Sequence, residues 1–208
     1  GMDFGDDPSE GFVRGRRFLH PKLGFTFSAP EGFVLENSAR ALLGIANGGA
    51  QALRLDSVNV SSAQDLSTYL ASGWMEGLDA NSIRTVTLNG IPAATGTAKG
   101  GDWQFRVAVI RYSGDVYRLI FATRNLTAAM DARFMEAIES FRKIESEEAM
   151  RTRPLRLKIV SAAAGDTPAV LARRMAVPEQ QVEQFLLLNG LEAGTALRPD
   201  ERYKIVVE

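Results

Sequence analysis

The sequence predicts an α+β protein: an antiparallel sheet with flanking helices over residues 20–144, then a small β-α-α-β unit over residues 155–208. Three observations lead there. Segments that alternate apolar and polar residues succeed one another between residues 84 and 122, separated by short glycine-bearing turns. Stretches 66–78 and 130–141 instead repeat their apolar residues every three or four positions, the stripe of a half-buried helix. After a polar, Pro-terminated linker at 145–154, the signals run strand, helix, helix, strand.

Residues 1–19 read as a lead-in segment. Gly1 to Pro8 is acidic and glycine-rich, without the basic start and the apolar stretch of ~7–15 residues that a secretory signal needs. Gly1 ahead of Met2 fits a cloning scar, and the acidic start fits a piece of a longer polypeptide. Arg14, Arg16 and Arg17 are read either as an anion contact or as a solvated lead-in, and the second is preferred.

Leu23, Phe25 and Phe27 share one face of a strand that Pro30 stops. Ala52 to Val60 is a second strand, with Leu53, Leu55 and Val58 inward and a bulge at Ser57, where the phase breaks. Leu66, Tyr69, Leu70, Trp74 and Leu78 predict a helix capped by Ser61 or Ser62. A strand at 84–88 turns through Asn89-Gly90, whose positive φ suits a type I′ hairpin, and Pro92 belongs at an edge or a strand start. Trp103, Phe105, Val107 and Val109 line one face of the next long strand, and Val116 to Ala122 closes the meander. Met130, Phe134, Ile138 and Phe141 predict a second helix, capped by Thr127 or Asn125.

In the linker, Glu147 and Arg151 are spaced to extend the preceding helix before Pro154 ends it. Beyond it, residues 155–160 alternate as a strand. Asp166 or Thr167 caps a helix with Pro168 in its first turn and Val170, Leu171 and Met175 inward. Pro178 opens another helix bearing Val182, Phe185, Leu186 and Leu188, which Asn189-Gly190 ends, and Tyr203 to Val207 is the closing strand.

Composition narrows the chemistry. The 208 residues carry 24 Lys plus Arg against 25 Asp plus Glu, which excludes a generally basic nucleic-acid binder. No apolar run approaches the ~20 residues of a membrane-spanning helix. The chain has no cysteine, so disulfides, thiolate catalysis and cysteine-bound zinc are excluded, but no compartment is chosen. His20 is the single histidine: any Ser-His-Asp triad must use it, and a two-histidine zinc site cannot form. Its place just ahead of a strand points to a surface or capping role. Catalysis by paired carboxylates stays open, with no pair singled out. The chain is expected to bind no catalytic zinc, to need no cofactor and to hydrolyse no peptide.

Three resemblances add to this reading. Phe25-Thr26-Phe27-Ser28-Ala29-Pro30-Glu31-Gly32-Phe33, a helix, a meander containing Asn89 to Ala93, and a helix ending in Ser140-Phe141 together resemble the PsbP-like (Mog/PsbP) fold. That resemblance implies a binding or accessory module, since the fold does not fix a function. Residues 155–208 resemble the LysM domain, a peptidoglycan- and chitin-binding module. The matching parts are the first strand, Gly165-Asp166-Thr167, Leu171 to Met175, Val177, Asn189-Gly190-Leu191, Leu197-Arg198-Pro199 and the last strand. About three extra residues lie between Val177 and Asn189, and Asp200 stands where the family usually has glycine. The resemblance implies a glycan-binding groove between Gly165, Asp166 and Thr167 on one side and Asn189, Gly190 and Leu191 on the other. There, backbone amides would meet an N-acetyl carbonyl, and Leu191 or Leu188 would wall its methyl group. Read without the family, the same residues cap one helix, end another and fill a core, and the module docks against protein.

The two units in this order, after the lead-in from Gly5 to Phe25, resemble the C-terminal region of bacterial HtpX/BepA-type zinc metalloproteases. This implies an upstream metallopeptidase domain in which His-Glu-x-x-His holds zinc and supplies the base, a hydrolase motif absent here. The chain is then expected to be a non-catalytic accessory region, periplasmic or cell-envelope associated. Its expected partners are peptidoglycan glycan strands or the upstream protease domain, with no nucleic acid. A stand-alone envelope binding or scaffold protein and an independent enzyme are the other two readings.

Overall fold

A computed structural model of the chain describes residues 11–145, 148, 156–177 and 180–207. It divides into two units, one within Pro8–Ala149 and the other taking in Met150–Glu208. Most of the expected linker, including Glu147, Arg151 and Pro154, lies outside the described residues, as do Gly1 to Pro8.

The larger unit starts earlier than the sequence suggested. Residues 12–19 are not a lead-in but supply β1 (Phe12–Arg14) and most of β2 (Arg17–His20), because Phe12, Phe18 and Leu19 bury their side chains. With β3 (Phe25–Ser28) and β11 (Arg142–Lys143) they form a four-stranded sheet in the order β1-β2-β3-β11. Two further strands went unpredicted, β4 (Val34–Asn37) and β5 (Leu42–Ala46). They join β6 (Gln51–Val58), β7 (Arg84–Leu88), β8 (Ile91–Gly100), β9 (Trp103–Tyr112) and β10 (Asp115–Thr123). The resulting sheet has seven strands in the order β4-β5-β6-β10-β9-β8-β7, antiparallel throughout.

Around β8, β9 and β10 this sheet is buried on both faces, which corrects the expected bulge. The β6–β10 ladder runs unbroken from Gln51 opposite Thr123 to Val58 opposite Val116, through Ser57. Leu53 and Leu55 belong to the main core with Ile110, Leu119, Phe121 and Phe134. Val58 points the other way, into a second core of Leu66, Leu70, Val107, Val109 and Val116. The phase break at Ser57 is thus a change in which face is covered.

Helix α1 (Leu66–Leu70) covers part of the second face and is far shorter than its apolar stripe implied. Gly73 (φ +95°) and Gly77 (φ +71°) leave helical backbone, although Trp74 and Leu78 still pack on that core. Neither Ser61 nor Ser62 caps it. Asp65 does, accepting from the Thr68 N–H at 3.0 Å. Helix α2 (Ala128–Glu139) follows the expected pattern: Thr127 caps it, and Phe134 and Ile138 are fully buried. Asn89 (φ +48°) and Gly90 (φ +82°) make the expected turn. The Asn89 amide also donates to the carbonyls of Glu139 and Phe141, both at 2.9 Å, tying the hairpin to the end of α2.

In the smaller unit β12 (Arg156–Ser161) pairs antiparallel with β13 (Arg202–Val207). Between them lie α3 (Pro168–Ala172) and α4 (Gln181–Asn189). Val160, Leu171, Met175, Phe185, Tyr203 and Ile205 form the core. Val170, expected inward, is exposed, as is Val182 on the next helix. Pro178 lies outside the described residues, and the described helix begins after Gln180, at φ +50°. The α+β expectation therefore stands in a sheet-rich form with few helices.

Candidate functional site

The six residues singled out for glycan binding fall in two loops of the smaller unit. In the first, Gly165 takes φ +90° and Asp166 closes the turn on itself. Its carboxylate accepts from the Ala163 N–H at 2.8 Å, and its own N–H donates to the Ala163 carbonyl at 3.0 Å. Thr167 is the helix cap, with Oγ1 accepting from the Val170 N–H at 3.3 Å and Pro168 in the first turn.

The second loop ends α4 in a Schellman motif. Gly190 at φ +63° donates to Leu187, and Leu191 donates back to Leu186 at 2.9 Å. Asn189 reaches further. Its Nδ2 donates to the carbonyls of Phe185 and Lys204, both at 2.9 Å, and its Oδ1 accepts from the Lys204 N–H at 2.7 Å. Leu188 and Leu191 pack partly buried against the core. Among the described residues no hydrogen bond joins the two loops. The polar side chains of Asp166, Thr167 and Asn189 are engaged in closing the unit, which leaves backbone N–H and C=O groups to meet a ligand. Replacing Asn189 with alanine removes three hydrogen bonds, two of them to strand β13. It is expected to destabilise the smaller unit by about 2 kcal/mol, read as a lower denaturation midpoint.

His20 is not a surface residue. It is 9% exposed, its ring packs edge-on to Phe18 and against Phe25, and Nδ1 accepts from the Leu23 N–H at 3.2 Å. It lines a cleft of about 120 Å³ with Asn37, Arg40, Asp56, Ser57 and Tyr117. Burial pushes the Tyr117 hydroxyl up to about 12, with Asp115 and Tyr112 adding. Burial, with the Lys22 charge adding, holds the His20 pKa below its ordinary value. The unfolded chain therefore takes up the proton first as pH falls. Stability should be complete above about pH 6.5, decline as pH drops from there through the folded-state value, and level off below it. His20→Asn keeps an acceptor near the Leu23 N–H without titrating, so it should flatten that part of a stability–pH curve; an unchanged slope would place its origin elsewhere.

The three arginines do not make one anionic-surface patch. Arg14 donates to the Val13 carbonyl and sits over the Phe12 ring, Arg16 donates to the Ala29 carbonyl, and Arg17 is held by Thr26 and Glu148. Arg16 and Arg133 share a cleft of about 310 Å³ with Glu31 and Glu136, so its charges balance. On the second sheet face, Asp56 bridges Arg54 and Arg118 at 3.0 and 2.7 Å, and the Arg118 guanidinium stands 5.0 Å from the Trp74 ring centre. Burial raises the Asp56 pKa, but the two guanidiniums outweigh it and hold the carboxyl below its usual range.

The resemblance places zinc in an upstream protease domain and not in this chain. Among the described residues no group of three His, Cys, Asp or Glu side chains stands together, and His20 is occupied by Leu23. No helix is long and apolar enough to cross a membrane among the described residues.

No family model matches the chain, and no curated protein matches it in sequence. Solved structures do match. A protein from Bacteroides thetaiotaomicron VPI-5482 is 13% identical at a TM-score of 0.46 over 70% of this chain and 53% of that one; the chain thus spans about half its length. A Pseudomonas aeruginosa protein of unknown function is 15% identical at 0.33, over 59% of this chain and 98% of that one. Cyanobacterial PsbP (CyanoP) from Synechocystis sp. PCC 6803 is 14% identical at 0.50, over 67% of this chain and 98% of that one. The likeness to CyanoP shows the fold: the chain contains a PsbP-like α+β fold.

Proposed function

We propose that the chain is a non-catalytic accessory and binding region of a bacterial cell-envelope zinc metalloprotease, in which a LysM-like unit follows the PsbP-like one. The observation that carries this reading is the succession, along one chain, of a PsbP-like sheet and a β-α-α-β unit. Asp200 supports the LysM-like part: it stands where that pattern has glycine, and it takes φ +63°, the left-handed region that favours glycine. The smaller unit offers glycan strands the backbone groups of its two loops. The gene tests the parentage: an upstream His-Glu-x-x-His in the same reading frame is expected, and its absence would leave a stand-alone envelope protein. NMR titration of the chain with N-acetylglucosamine oligomers tests the groove. Shifts confined to residues 165–167 and 189–191 are expected, and none at millimolar ligand would end the glycan reading.

A further inference from the structure

A two-stranded sheet has two outer edges, and the two here differ. Ala162 donates to the Glu201 carbonyl at 3.0 Å, which makes 162 and 201 a hydrogen-bonded pair of the antiparallel ladder. The register and the alternation of such pairs then turn the backbone groups of Leu157, Ile159 and Ser161 outward on β12, and those of Arg202, Lys204 and Val206 outward on β13. On β13 three of these six groups have partners among the described residues. Asn189 bonds both the N–H and the carbonyl of Lys204, and the Val206 carbonyl accepts from the Ala176 N–H at 2.8 Å. On β12, no hydrogen bond among the described residues reaches the outward groups of Leu157, Ile159 or Ser161.

Apart from Ser161, the side chains along β12 are apolar or cationic. Ile159 is 62% exposed, directly across the ladder from Lys204. Lys158, Arg202 and Lys204 are exposed, and none makes an ion pair among the described residues. The strand Arg156-Leu157-Lys158-Ile159-Val160-Ser161 contains no carboxylate. A second copy pairing here would bring two basic residues from each strand together with no acid to offset them. An unpaired edge with an apolar centre and cationic surroundings is instead a template for strand addition by a segment of opposite charge.

We propose that the outer edge of β12 docks an extended acidic segment of another polypeptide, which adds to the sheet as a third strand. Its backbone pairs with Leu157, Ile159 and Ser161, an apolar residue covers Ile159 on one face, and its carboxylates lie on the opposite face, beside Lys158. The surface is separate from the two loops of the glycan reading and does not depend on it.

The test uses the full ¹⁵N-labelled chain and two blocked octapeptides, one alternating glutamate with valine and one alternating lysine with valine. The glutamate peptide at ~1 mM should shift the amides of Leu157, Ile159 and Ser161 and slow their hydrogen exchange ~tenfold, in a salt-sensitive way. The lysine peptide should do neither. Ile159→Pro removes an outward N–H that the β12–β13 ladder does not use, and should abolish the effect. If that variant fails to fold, Lys158→Glu changes only an exposed side chain and should weaken glutamate-peptide binding ~tenfold. Equal binding of both peptides, or no response at these amides, overturns the proposal. Concentration-dependent protection of the same amides without peptide also overturns it, by assigning the edge to a second copy.

Discussion

Gly77→Ala is expected to cost the larger unit about 3 kcal/mol or more. Gly77 sits at φ +71°, and a Cβ there would lie 1.8 Å from the Lys99 carbonyl oxygen. That oxygen belongs to the backbone of β8 and cannot swing aside as a side chain would. The same approach lets the Gly77 carbonyl accept from the Lys99 N–H at 3.0 Å and sets up the next bond, from the Asp79 N–H to Thr97 at 2.9 Å. Alanine would therefore push the whole segment after Trp74 off the second sheet face. Gly73→Ala is the control: it too has positive φ, at +95°, but a Cβ there meets nothing within 4 Å, so its loss should stay near 1 kcal/mol. Equal losses for the two variants in chemical denaturation would sink the steric argument.

Phe25→Ala should destabilise the same unit by about 4 kcal/mol. The ring is 1% exposed, stacks on Phe141 at 4.9 Å and meets Tyr117 edge-on at 4.7 Å, with Phe18 and Tyr112 around it. It joins β3 of the small sheet to β10 of the large one and to the residue just past α2, so truncation opens a cavity that three elements would have to close together. Phe25→Leu, which refills most of the volume, should lose only about 1–2 kcal/mol. A loss under about 1.5 kcal/mol for alanine would mean that the cluster collapses readily around the gap.

Features fixed by neighbouring residues were legible in the sequence. The Asn89-Gly90 turn, the Thr127 cap and the Phe134–Ile138 stripe each depend on chemistry within a few positions. Strands β4 and β5 were hidden because Val34, Leu43 and Ile45 point to solvent, Val34 being 72% exposed, which erases the alternation. Strands β1 and β2 were masked by Arg14, Arg16 and Arg17, whose charges are met mainly by backbone carbonyls, Thr26 and Glu148. At the candidate site, the helix cap and the helix stop could be read locally. The Asn189 bonds to Lys204 could not, since the partner is a backbone 15 residues on. Of the two roles read for His20, the cap is found, with Nδ1 accepting from the Leu23 N–H, while its burial against Phe18 and Phe25 was not foreseen.

The place of β11 has a consequence for how the larger unit comes into being on the ribosome. Its two residues, 142 and 143, pair with Thr26 and Phe25, and Ser140 bonds the backbone of Ser28, 112 positions earlier. Strand β3, which leaves the ribosome before the meander of this unit, is thus the last to gain its final neighbour and must wait with one side bare while the meander forms. Such closure between distant segments slows folding and makes it all-or-none. A nascent chain paused before residue 142 would hold an unfinished sheet edge, the kind of surface that chaperones shield.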